Sequence, residues 1–174
     1  VNTNGRPKFE DFDDYVYLSM RMLSVDSATD ELLNEQFSLI LGNGWVISIH
    51  ESEKDLFAAI RARIKEGKGL ARTRKEDFIF YRLIDITVDN YYHVSEYLAD
   101  IIEEMEEKVI QNKEDNITEQ IYDLKRKVAT VKKALMPLRE AISTIIRSET
   151  ELIPESSEKY FRDVLDHINQ EIES

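Results

Sequence analysis

The sequence contains no cysteine, which excludes a disulfide framework and thiolate zinc sites and fits a reducing compartment. It has no apolar run near the roughly 18 residues needed to cross a bilayer, and no charged-then-apolar leader opens it. The expectation is a soluble chain. Catalytic signatures are also missing. There is no Gly-x-Ser-x-Gly, no glycine-rich phosphate loop and no Gly-x-Gly-x-x-Gly opening a helix, and His50, His93 and His167 lack a recognisable serine partner. Nothing in this inventory points to an enzyme. Positive charge is scarce, with 23 basic residues against 35 acidic ones, so a nucleic-acid backbone would be repelled.

What is present is 174 residues, 42% apolar and 33% charged, a globular composition of single-domain length. Between Lys8 and His50 the residues favour strands: Tyr15 to Leu23, Gln36 to Leu41 and Trp45 to Ile49. Gly42-Asn43-Gly44 joins the last two, and its Asn-Gly pair is suited to the positive φ angles of a tight hairpin. From Asp55 the period changes. Leu56, Ile60 and Ile64 mark a short helix ending near Gly67 and Gly69, within a basic cluster of Arg61, Arg63, Lys65, Lys68, Arg72, Arg74 and Lys75.

A seven-residue repeat follows in Ile84, Val88, Tyr91, Ser95, Leu98, Ile102, Met105 and Val109. After a break at Asn112 to Asn116 it resumes in Ile117, Ile121, Leu124, Val128, Val131, Leu135, Leu138, Ile142 and Ile145. The spacing predicts two long helices folded back as an antiparallel pair along a seam. Their charges complement each other, acidic from Glu96 to Glu119 and basic from Ile121 to Arg147. Pro137 should bend the second helix. Ser156 or Ser157 is placed to cap a final helix whose stripe of Phe161, Leu165, Ile168 and Ile172 is still running at Ser174. With Val1 rather than Met at the start, the chain reads as a piece of a longer protein. The expected class is α+β, with a sheet-containing part over 1–70, a helical hairpin of the same domain over 71–150, and the start of another helix over 151–174.

Three carboxylate groups could carry chemistry. Asp163, Asp166 and His167 share one side of the last helix, as a solvated polar face or as a cation site with oxygen ligands. Asp85 and Asp89, one turn apart, each follow a seam residue, so at least one is expected to be partly buried. Such a carboxylate needs an arginine partner such as Arg82 or Arg139, or a metal. The acidic tip of Glu103, Glu104, Glu106 and Glu107, with Glu114 and Asp115 beyond the turn, is a solvated surface or a cation-concentrating field.

Several stretches, in order along the chain, carry a family resemblance. They are Arg6-Pro7-Lys8, Ser38 to Leu41, Leu83-Ile-Asp-Ile-Thr-Val-Asp-Asn-Tyr-Tyr92, Met136-Pro-Leu-Arg-Glu140 and Tyr160-Phe-Arg-Asp-Val-Leu-Asp-His167. Together they resemble the soluble domain of CorA magnesium/cobalt transporters. The resemblance implies an α/β/α-type domain on the cytoplasmic face of the membrane, within a homopentamer whose last helix is a stalk leading to membrane segments beyond Ser174. It implies that Mg2+, or Co2+ or another divalent cation, binds between subunits and holds the pore closed. Asp163 takes the position of the interface carboxylate and Asp85 that of a second sensing ligand, with Asp166, His167 and Asp89 adjoining. The carboxylate partner for Asp163 is expected in a Leu-Glu-Asp stretch of the neighbouring subunit, upstream of Val1. Two rivals stay open: a zinc-transporting relative, and a helical oligomerisation scaffold without transport.

Overall fold

A computed structural model of the chain describes residues 5–26, 28–51, 56–67, 74–110 and 116–174. Lys68, Gly69, Arg72, Glu114, Asp115 and most of the break after the first long helix lie outside the described residues.

Four antiparallel strands form a meander in the order β1-β2-β3-β4: β1 Lys8–Asp11, β2 Tyr15–Asp26, β3 Glu31–Gly42 and β4 Trp45–His50. β2 and β3 are each 12 residues long, so β3 begins five residues before the apolar run that announces it. The extension rests on turn chemistry. Asp26 Oδ1 accepts the Ala28 amide at 2.9 Å, the Asp26 carbonyl accepts the Asp30 amide at 2.8 Å, and Asp30 adopts φ 54. Asp26 thus closes the turn, and the left-handed step falls on Asp30, a residue type that tolerates it. In the second hairpin Gly42 pairs with Trp45 across Asn43 and Gly44. Only Gly44 has a positive φ, 82, and Asn43 does not, which corrects the expectation for the Asn-Gly pair. A turn of the type II kind needs the positive angle at its second central residue alone. The Trp45 ring lies over Gly42, where a Cβ would come within 2.2 Å of it.

The alternation of β2 and β3 puts Val16, Leu18 and Met20 directly opposite Leu41, Leu39 and Phe37 on one face, all fully buried. This face joins a single core with α1 (Ala58–Glu66), α2 (Glu76–Ile110), α3 (Ile117–Arg147) and α4 (Glu158–Glu173), the last preceded by a 3-10 turn, Glu155–Ser157. α1 ends at Gly67, whose φ of 69 provides the left-handed step that terminates helices. Just before it, Phe57 stacks on Phe37 at 5.0 Å. The buried Tyr91 hydroxyl donates to the Arg21 carbonyl and the Asn90 amide to the Leu23 carbonyl, which fixes α2 along β2.

Both heptad helices form, and α3 runs without interruption through Pro137. They are antiparallel, with Met105 beside Leu124 and Leu98 beside Val131 and Leu135. The seam is not theirs alone, however. Ile102 and Val109 of α2 are 41% and 54% exposed, and Ile121 of α3 is exposed as well. α4 supplies the missing partner, burying Phe161, Val164 and Ile168 against the two long helices. It runs parallel to α2, with Tyr160 stacked on Tyr81 at 4.9 Å and Ser95 donating to Glu171 at 2.8 Å. Ser157 precedes α4 but does not cap it with its side chain. Its hydroxyl is spent on Asp77, and both residues are buried. No helix among the described residues is long and apolar enough to cross a membrane.

Candidate metal site

The parallel packing of α2 and α4 creates a cluster that neither helix contains alone. Asp85 and Asp89 lie one turn apart on α2, and α4 brings His167 against them. One ligand atom from each falls within 4.8 Å of the others, the single such group of three among the described residues. Asp85 is buried, whereas Asp89 and His167 are exposed, so the cluster opens to solvent on one side. Helical spacing explains the asymmetry. Ile84 and Val88 are core residues, and Asp85 turns with them toward Tyr81 and α4, while Asp89 sits at the margin.

Arg82 pairs with Asp85, and the Tyr81 hydroxyl donates to it at 3.3 Å. Both bonds fall on Oδ2, which leaves Oδ1 available to a cation. Burial pushes the Asp85 carboxyl above its ordinary range. The Asp89 charge pushes in the same direction, and Arg82, the Tyr81 bond and His167 act against them. Burial, followed by the Asp85 charge, likewise raises the Tyr81 phenol. A buried carboxylate beside a second carboxylate gains from a divalent ion, because the ion's charge offsets both the burial that disfavours ionisation and the lesser repulsion from Asp89.

The donor set fits such an ion. Ligands on opposite sides of a magnesium-sized ion stand about 4.2 Å apart, so a small side-chain rotation or the ion's own water spans the cluster. Two carboxylates with retained waters suit magnesium, while an imidazole nitrogen extends the range to softer divalent metals.

The five sequence candidates therefore separate. Asp85, Asp89 and His167 come together. Asp163, one turn before His167, and Asp166 are both exposed on α4 outside the cluster. Arg82 is the arginine partner of Asp85, whereas Arg139 pairs with Glu140. What sequence reasoning missed is the joining of His167 to Asp85 rather than to its helix neighbours. The signal lay in the parallel docking of α4, which periodicity within one helix does not encode.

Helices packed over an antiparallel four-stranded meander are a fold shared with solved structures of CorA and ZntB proteins. The CorA magnesium transporter of Methanocaldococcus jannaschii superposes with a TM-score of 0.86 at 17% identity, over 99% of this chain and 54% of that one. The cytoplasmic domain of ZntB from Vibrio parahaemolyticus gives 0.77 at 19% identity, over 98% and 66%. At these identities the likeness is one of fold. In sequence, the chain is 36% identical over 170 residues to the cobalt/magnesium transport protein CorA of Thermotoga maritima, covering 98% of this chain and 48% of that protein. The family described as CorA-like Mg2+ transporter protein matches residues 1–174, and the chain belongs to that family. It spans about half the length of the curated relatives it matches.

Proposed function

We propose that this chain is the metal-sensing part of a divalent-cation transporter on the cytoplasmic face of the membrane. Asp85, Asp89 and His167 hold an ion within one subunit, and Asp163, exposed on α4, meets a carboxylate of the neighbouring subunit in a homopentamer. The convergence of three ligand atoms from α2 and α4 carries this reading. A bound ion offsets the repulsion between strongly acidic subunits and favours the closed arrangement. It can shift gating only by the difference in its affinity for the two arrangements.

Magnesium titration tests the two parts separately. In the chain itself, magnesium at a hundredfold excess over its dissociation constant should stabilise by about 2.7 kcal/mol. Asp89→Ala should abolish that gain. In the full-length protein, magnesium should promote protease protection and subunit association, and Asp163→Ala should weaken both. Equal protection of the two proteins would remove Asp163 from the sensor. His167 favours a second reading, a site for cobalt or zinc, since imidazole prefers softer ions. Tighter binding of zinc than of magnesium, lost in His167→Ala, would select it.

A further inference from the structure

We infer that Arg82 is a built-in competitor of the bound ion: it supplies the positive charge at Asp85 when the carboxylate cluster is empty and, by staying there, weakens the cluster's hold on a divalent cation. This rests on the reading of Asp85, Asp89 and His167 as one ion site. Asp85 is buried, and a buried carboxylate without a cation is unfavourable. Its two oxygens can meet that need separately. Arg82, one turn earlier on α2, donates through Nη1 to Oδ2, which also accepts the Tyr81 hydroxyl at 3.3 Å. Asp89, one turn later, and His167 complete the ligand group, and Oδ1 is the oxygen of Asp85 left to an ion.

The guanidinium is anchored on two sides. Besides its bond to Asp85, its Cζ stands 5.9 Å from the centre of the Tyr81 ring, which is itself stacked at 4.9 Å on Tyr160 of α4. The Arg82 side chain is 33% exposed and that of Asp85 8%, so solvent screens the pair only in part. A guanidinium keeps its charge at any physiological pH. An ion on Oδ1 therefore shares one carboxylate with a permanent positive charge, and Coulomb repulsion of a divalent ion is twice that of a monovalent one. Two opposite effects follow from the same group. In the empty cluster Arg82 offsets the Asp85 charge, so the fold does not need the metal. In the loaded cluster it opposes the ion and moves the response to higher ion concentrations.

The test is calorimetric titration of the chain with magnesium chloride, paired with thermal unfolding in the absence and presence of magnesium. It compares the parent with Arg82→Gln, Arg82→Met, Arg82→Lys and Asp89→Ala. Arg82→Gln keeps an amide donor for Oδ2 and removes the charge. Its magnesium dissociation constant should fall about tenfold. Its metal-free midpoint should drop, and its magnesium-saturated midpoint should return towards that of the parent. Arg82→Met, a second neutral variant, should also bind more tightly, and Arg82→Lys, which restores the charge, should bind like the parent. Damage to the fold weakens binding, so a gain in affinity reports the charge. Neutral variants that bind magnesium no more tightly than the parent overturn the inference, and loss of the parent's binding in Asp89→Ala then leaves the ion site standing. Tighter binding by Arg82→Lys as well overturns it too, since charge would not be the cause. No magnesium binding by the parent or by either neutral variant removes the site, and the inference with it.

Discussion

At the scale of single residues, local context was readable and distant partnership was not. Asp85 follows Ile84 in the apolar repeat, so its burial and its need for a cation were implicit in the spacing, and Arg82 one turn back was an available partner. His167 was visible only as a neighbour of Asp163 and Asp166. Glu76 shows the same limit. It reads as an ordinary first-turn acid, yet its Oε1 accepts the Gly44 amide at 2.8 Å and fastens the β3–β4 turn to the start of α2. Backbone hydrogen bonds, its own amide's first and then Gly44's, hold its carboxyl below the usual range. A depressed carboxyl contributes stability that is fully present above its unfolded value and is lost as pH falls through the folded one. Glu76→Gln should therefore lower the midpoint near neutrality and flatten the acid limb of a stability-against-pH curve. A variant curve parallel to the parent would contradict this.

Among elements, periodicity revealed each helix but not which helices share a core. The heptads of α2 and α3 suggested a two-helix seam, and the exposure of Ile102, Val109 and Ile121 shows where that account ends. A stripe of apolar positions does not specify its partner, and α4 takes much of the surface the pair was expected to share. The Asp26–Glu31 hairpin was missed because an aspartate side chain, rather than an Asn-Gly signature, closes it. Ser157 was expected at a helix cap, but the tertiary position of Asp77 claimed its hydroxyl. That bond joins the start of α2 to the start of α4, 80 residues apart. Ser157→Ala leaves a buried carboxylate without its donor and should cost about 1–3 kcal/mol. Adding Asp77→Asn should recover part of that loss in denaturant titration. If Ser157→Ala costs nothing, the bond does not hold α4 in place.

For the whole molecule, the family motifs and the acidic balance were legible in the sequence, while the meeting of Asp85 and Asp89 with His167 was not, because these residues are distant along the chain. A net charge of -12 opposes compaction. Sodium chloride should therefore raise the thermal midpoint slightly, and magnesium at matched ionic strength should raise it further, with the excess absent in His167→Ala. Parallel packing of α2 and α4 has a different electrostatic consequence. Their N-termini lie at one end of the molecule beside the C-terminus of α3. Aligned peptide dipoles place about half a positive charge at each of those N-termini and half a negative charge at the α3 end. The end therefore carries two like poles against one, and Glu76, Asp77, Glu155 and Glu158 gather there. The formal charge thus overstates the self-repulsion of this fold. Neutralising these four acids would bring the protein nearer to zero charge and leave two parallel helix dipoles side by side with their like poles unbalanced.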